Sequence, residues 1–152
     1  MTPVNDFSLQ VAVGRDQAPS SSHLVYRGRP TGIRVSGCVL ERQFACAAGY
    51  LLMTTDDSPF EEALHVQLVS REIRFLDCLD LSHPYAAAIL RDVKAVSPNQ
   101  VNFSFFGGDT WKLTVLDRPR FALPINLFSP VKRRWGRPLF RSYLELSRAN
   151  SV

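Results

Sequence analysis

The sequence predicts a mostly β protein, an antiparallel sandwich or open barrel of about seven to nine strands with one or two short helices. Short apolar runs alternate with polar residues at period two, which is typical of strands that bury one face. Gly, Pro, Ser and Asp separate these runs, and ten phenylalanines add aromatic residues that sheets favour. At 152 residues, the chain is long enough for one domain with its own core.

The clearest element is a hairpin at residues 101–117. Apolar residues alternate with polar ones on both sides of Gly107 and Gly108, and the inward set is Val101, Phe103, Phe105, Trp111, Leu113 and Val115. Glycine adopts the positive φ angles that a tight reversal requires. We therefore expect two antiparallel strands whose aromatic inner face contributes to the core.

Three segments before this hairpin also have strand patterns. Residues 7–13 alternate as a first strand, and residues 50–54 form an apolar run typical of a strand near the centre of a sheet. Residues 63–81 are predicted to form a second hairpin, with its turn at Ser70-Arg71-Glu72. Strands are therefore expected well before the hairpin at residues 101–117.

Two segments have helical spacing instead. Residues 84–96 begin with Pro84, contain three consecutive alanines and end before another proline, which predicts a helix, with a strand as the alternative. Residues 138–148 are predicted to form a short amphipathic helix, in which Arg141 and Glu145 make an i,i+4 pair.

Charge divides the chain into a β body at residues 1–117 and a C-terminal segment at residues 118–152. The body has ten basic and thirteen acidic residues, for a net charge of −3, whereas the segment has eight basic residues and one acidic residue, for +7. Four prolines break the regular ladders of the segment, so we expect it to pack in extended form on the same single domain. A basic segment on a mildly acidic body indicates a negatively charged binding partner.

The best candidate for a binding site is the stretch from Val131 to Tyr143. Its basic and aromatic residues are Lys132, Arg133, Arg134, Trp135, Arg137, Phe140, Arg141 and Tyr143. Cations and interleaved aromatics suit nucleic acid, an acidic protein surface or an anionic membrane. The purely structural alternative is that Trp135 and Phe140 anchor the segment while the arginines face water or pair with body carboxylates. Among ligands, we expect a protein partner or a homodimer before nucleic acid, and a membrane last.

No motif assigns a catalytic class, a metal or a cofactor, and none is expected. The acidic stretch at residues 56–62 lacks the spacing and the glycine of a calcium-binding EF-hand. Cys78 and His83 could form a nucleophile–base pair, but Cys78 lies in an apolar run typical of a packed thiol. Three cysteines cannot all pair, and the N-terminus has no secretory pattern, so a reducing cytoplasmic location is expected.

The sequence therefore favours a non-catalytic interaction or accessory protein that binds a protein partner through its basic aromatic stretch. One alternative is a nucleic-acid-binding protein that uses the same stretch. The other is a small-molecule binder or enzyme whose site lies in the cavity of a barrel, near residues such as Asp56, Asp57, His65 or His83.

Overall fold

The computed structural model describes residues 1–12, 21–58, 61–83, 87–121, 130–133 and 141–149. These residues form thirteen strands and no helix. The strands are β1 (Thr2–Pro3), β2 (Phe7–Val11), β3 (Ser21–Tyr26), β4 (Arg29–Ser36), β5 (Val39–Cys46), β6 (Gly49–Thr55), β7 (Ala63–Val69), β8 (Phe75–Ser82), β9 (Arg91–Ser97), β10 (Gln100–Ser104), β11 (Thr110–Phe121), β12 (Val131–Arg133) and β13 (Arg141–Arg148). The mostly β class is confirmed. The sequence predicts seven to nine strands, fewer than the thirteen observed. Part of the difference is β1 and β12, which have only two and three residues, too few to show a recognisable alternation.

The strands form three antiparallel sheets. The central sheet has the order β1-β5-β6-β7-β8-β12, the C-terminal sheet β13-β11-β10-β9, and the N-terminal sheet β2-β3-β4. One buried apolar cluster joins the central and C-terminal sheets, and a second joins the central and N-terminal sheets. The central sheet is therefore covered on both faces, in the manner of a sandwich.

Strand β6 illustrates this double burial, because all seven of its residues are buried. Leu51 and Met53 belong to the cluster shared with the C-terminal sheet, whereas Tyr50 and Leu52 belong to the cluster shared with the N-terminal sheet. Successive residues of a strand point to opposite faces, so a strand covered on both faces needs a continuous apolar run. The prediction for residues 50–54 is confirmed.

Both predicted hairpins are also confirmed. In the pair β10–β11, Phe103 lies opposite Trp111, and the φ angles of Gly107 and Gly108 are 38° and 109°. All six residues that were predicted to face inward are buried. In the pair β7–β8, Leu64 lies opposite Leu81.

The helix predicted at residues 84–96 is wrong in its described part. Residues 91–97 form β9 and residues 87–90 have no regular structure, while residues 84–86 lie outside the described part of the chain. Strand β9 pairs only with β10 among the described strands, and five of its seven residues are exposed. Its register is interrupted twice, and Asp92 has a positive φ of 52°. An exposed, irregular edge strand has no clear period-two pattern, so the helix propensity of the alanines led to the wrong prediction of a helix.

The helix predicted at residues 138–148 is also wrong in its described part, where residues 141–148 form β13 beside β11. Residues 138–140 lie outside the described part. Glu145 pairs with Arg120 on the neighbouring strand, with 2.9 Å between Oε1 and Nη1, and not with Arg141. The inward-facing alternation was hard to recognise because it begins with a polar residue, Ser142, which is buried together with Leu144.

Gly49, at the start of β6, occupies a position that has no room for a side chain. Its φ is 145°, and a Cβ would overlap the carbonyl oxygen of Val69. We expect Gly49→Ala to lower the free energy of unfolding by about 3 kcal/mol or more, because the strained φ and the backbone overlap both oppose it. Urea unfolding beside Gly32→Ala is the check, since Gly32 has a φ of 77° but open space around it. Equal losses in the two variants would contradict the steric explanation.

Candidate functional site

The described parts of the C-terminal segment belong to the same sheets as the body. In β12, Val131 pairs with Leu81 and Arg133 pairs with Leu79 of β8. Strand β13 pairs with β11, which itself continues through Asp117 to its end at Phe121. The division at residue 117 remains a prediction, based on charge, that these pairings do not test.

Asp77 of β8 fixes β13 to the central sheet. Its carboxylate is buried, and Oδ2 accepts hydrogen bonds from the backbone N–H groups of Tyr143 at 2.7 Å and Leu144 at 2.9 Å. The Ser142 hydroxyl donates to the same oxygen at 3.2 Å, and the N–H of Cys78 donates to Oδ1 at 2.8 Å. Such donors offset the hydration that a buried carboxylate loses. One side chain therefore joins two sheets.

The described residues on the two sides of 134–140 lie beside the same strand. Arg133 pairs with Leu79 before this stretch, and Tyr143 donates to Asp77 after it. Leu79 and Asp77 are two residues apart on an extended strand, a separation of about 7 Å. Arg133 and Tyr143 are therefore held at neighbouring positions of one rigid strand, and a rigid scaffold of this kind often positions binding residues.

The structure describes only part of the predicted binding set. Arg134, Trp135, Arg137 and Phe140 lie outside the described residues. Lys132 is exposed on β12, the backbone of Arg133 completes that strand, Arg141 is exposed on β13, and Tyr143 is half-buried against the main core. The strands therefore place the two flanks of the predicted site on the body, and the complete set remains a prediction.

Strand β11 extends the basic surface beside this site. Arg118 and Arg120 are exposed, and Phe121 is 73% exposed and lies opposite Arg141 on β13. The strand pairing that brings Phe121 to Arg141 joins residues twenty positions apart, so local sequence patterns could not identify it. The surface combines cations with an aromatic side chain, a composition that interfaces favour.

A second polar cluster surrounds His65 of β7, whose side chain is 4% exposed. Its Nδ1 lies 2.7 Å from Asp80 Oδ1, and its Nε2 lies 3.0 Å from Asp56 Oδ1. Burial opposes the charged form, but the hydrogen bonds and charges of Asp56 and Asp80 outweigh it and raise the pKa of His65 from 6.5 to about 9. At neutral pH both ring nitrogens therefore carry protons and donate to carboxylates.

This protonation limits the chemistry of the cluster. The Cys78 thiol lies 3.8 Å from Asp80 Oδ1, so a cysteine is close to the histidine's own partner. A nucleophilic cysteine needs a base that can accept its proton. Because both His65 nitrogens are protonated, His65 cannot be that base at neutral pH. The cluster instead ties the chain at Asp56 to β7 and β8.

The Cys78–His83 pair that the sequence suggested is not brought together by the strand. Cys78 is buried inside β8, whereas His83 is exposed beyond the end of this strand and packs near Phe106, with 6.2 Å between ring centroids. Five residues of extended chain span about 16 Å. The two side chains are therefore too far apart for proton transfer along β8.

In the acidic stretch, the Glu62 carboxylate holds the backbone of the stretch itself. Glu62 accepts hydrogen bonds from the N–H groups of Asp56 at 2.8 Å and Ser58 at 3.0 Å. No group of three or more potential metal ligands is found among the residues that the structure describes. Within the same residues, no helix is long and apolar enough to cross a membrane.

The comparisons with known proteins give no match: no family model, curated protein or solved structure is significantly similar to this chain.

Proposed function

We propose that the protein is a non-catalytic interaction protein of the cytoplasm that binds an acidic protein partner through residues 132–143. The observation that carries the proposal is the anchoring of its described flanks to β8: Arg133 pairs with Leu79, and the N–H groups of Tyr143 and Leu144 donate to the Asp77 carboxylate. Residues that are already anchored in this way lose less conformational entropy when a partner binds. The basic stretch is therefore suited to recognition.

The charge and exposure of the flanking residues support a partner with the opposite charge. Lys132, Arg118 and Arg141 are exposed, and the C-terminal segment has a net charge of +7. Positive surfaces speed up the association with acidic partners, while Trp, Tyr and Arg contribute most to binding energy at interfaces. A cytoplasmic location fits the three cysteines, all of which are free thiols.

Affinity capture with matched charge variants tests this proposal. The baits are the wild-type protein, the triple variant Lys132→Ala/Arg133→Ala/Arg134→Ala, and a control that loses three exposed arginines elsewhere, Arg34→Ala/Arg42→Ala/Arg91→Ala. An acidic protein that the wild type and the control retain should then be purified, and its affinity for the first variant should fall at least about tenfold. Capture of no protein, or equal affinity for all three forms, would contradict the proposal.

Nucleic acid is the second candidate, because cations and aromatics occur together in this stretch and Phe121 adds an exposed ring beside it. Fluorescence anisotropy with a labelled single strand and a labelled duplex tests it. Binding that falls by about a thousandfold between roughly 50 mM and 200 mM salt, and that the first triple variant loses, would replace the protein-partner proposal. No binding at the lower salt concentration would remove this candidate.

A further inference from the structure

A surface pocket of about 530 Å³ lies between two hairpin turns. The β3–β4 turn contributes Tyr26, Arg27, Arg29 and Pro30, and the β7–β8 turn contributes Glu72 and Ile73. Its volume is within the range of small-molecule sites. The pocket shares no residue with the basic stretch 132–143, so it would be a separate site.

Ile73 lines this pocket with a strained backbone. Its φ is 58°, a conformation that glycine tolerates and that β-branched residues rarely adopt. The turn is nevertheless closed by hydrogen bonds from Ile73 N–H to Ser70 O at 3.0 Å and from Ser70 N–H to Arg74 O at 2.8 Å. Strain of this kind concentrates at functional sites. The Ile73 side chain also packs against the buried cluster that the central and N-terminal sheets share.

Tyr26 gives the pocket a rigid aromatic wall. Its ring packs 4.9 Å from Phe7 and 5.8 Å from Tyr50 between centroids, and the hydroxyl groups of Tyr26 and Tyr50 lie 3.2 Å apart. These contacts fix the ring before a ligand arrives. Together with Pro30 and Ile73, it provides an apolar surface.

One cation at the pocket has no partner of its own in the described part of the chain. Arg27 is paired with Asp6, with 3.0 Å between Nε and Oδ1. Arg29 is exposed and makes no side-chain hydrogen bond or ion pair with the described residues. A guanidinium in this position is suited to a carboxylate, which it can bind through two hydrogen bonds.

Glu72 restricts the charge of the ligand. Hydrogen bonds from its own backbone N–H and from the Ser70 hydroxyl, the latter at 3.0 Å, lower the pKa of Glu72. The pocket therefore contains a carboxylate as well as the Arg29 cation. Glu72 repels each negative charge on a ligand, so an anion with one charge is favoured over an anion with two.

We propose that this pocket binds a single carboxylate attached to an apolar group. The carboxylate would bind Arg29, and the apolar group would contact Tyr26, Pro30 and Ile73. A free small acid and the C-terminal carboxylate of a peptide share this chemistry. The proposal does not depend on the function proposed for residues 132–143.

Titrations followed by amide NMR test the proposal with four probes: N-acetyl-phenylalanine, its amide, a pentapeptide ending in phenylalanine, and the amidated pentapeptide. We expect shifts at residues 26–31 and 72–73, a dissociation constant of about 1 mM or tighter for the acids, and at least about tenfold weaker binding of the amides. Tighter binding of the peptide acid would identify a chain terminus as the source, and equal or tighter binding of the small acid would identify a free ligand.

Two variants and one control complete this test. Arg29→Ala should weaken the acids at least about tenfold and leave the amides unchanged, and Ile73→Gly should weaken both probe types about threefold or more. Arg34→Ala, which removes another exposed arginine of the same strand, should change neither. The absence of shifts at about 20 mM acid, equal binding of acid and amide, or full affinity of Arg29→Ala would each overturn the proposal.

Discussion

Replacing Asp77 with alanine is expected to lower the free energy of unfolding by about 3–5 kcal/mol. The buried carboxylate accepts hydrogen bonds from the backbone N–H groups of Tyr143, Leu144 and Cys78. Alanine would leave these donors without their acceptor, and each unsatisfied buried donor costs about 1–3 kcal/mol. Urea unfolding at neutral pH measures this loss.

Two further variants make the result specific. Asp77→Asn retains one oxygen but replaces the other with an amino group, so a donor would face backbone donors, and we expect a loss of about 2 kcal/mol or more. Asp117→Ala removes a carboxylate that is exposed on β11, and its effect should stay within about 0.5 kcal/mol. If Asp77→Ala were as stable as Asp117→Ala, the anchoring role of Asp77 would be wrong.

The stability of the wild-type protein is expected to fall by about 3 kcal/mol as the pH rises from about 6.5 to 9, because of His65. The pKa of this group is about 9 in the folded protein and 6.5 as its ordinary value. Because the folded pKa is the higher one, the stabilisation is fully present below pH 6.5 and is lost as the pH rises through the folded pKa. Unfolding in urea at several pH values between 6 and 9.5 measures the change.

Variants of His65 and Asp56 test whether His65 causes this pH dependence of stability. His65→Gln should remove the loss of stability between about pH 6.5 and 9. Asp56→Asn should make this loss smaller, and the variant should still fold because the Asp56 side chain is already 20% exposed in the wild type. His23→Gln changes an exposed histidine of β3 and should leave the pH dependence as in the wild type. A profile of His65→Gln that runs parallel to the wild-type profile would rule out the proposed linkage.

The sequence was a good guide to strands that bury one or both faces in a regular way. Residues 50–54 and the hairpin at 101–117 were identified correctly, because burial on a pleated surface leaves a period-two or continuous apolar pattern. The two helix predictions failed at β9 and β13. In β9 five residues are exposed, and in β13 the first inward-facing residue is a buried serine. In both strands, the hydrophobicity of a residue therefore did not indicate whether its side chain faces the core or the solvent.

The roles of Asp77 and His65 and the pocket beside Ile73 were harder to predict from the sequence, because they depend on contacts between distant parts of the chain. Asp77 bonds to residues 66 and 67 positions away, and its surroundings on β8 gave no reason to expect this. The sequence offers His65 as one residue near a possible barrel cavity, but its position between Asp56 and Asp80 depends on the register of β7 and β8. The pocket beside Ile73 required a φ angle that no sequence pattern reports.

Hydrogen exchange of the backbone amides of Tyr143 and Leu144 in the full-length protein tests most directly whether Asp77 anchors β13 to β8. These two N–H groups donate to the Asp77 carboxylate at 2.7 and 2.9 Å. We expect both amides to exchange only through global unfolding, at the free energy measured for the central strand β6. Exchange at the rate of an unstructured peptide would contradict the anchoring, and the proposed binding function that rests on it would lose its main support.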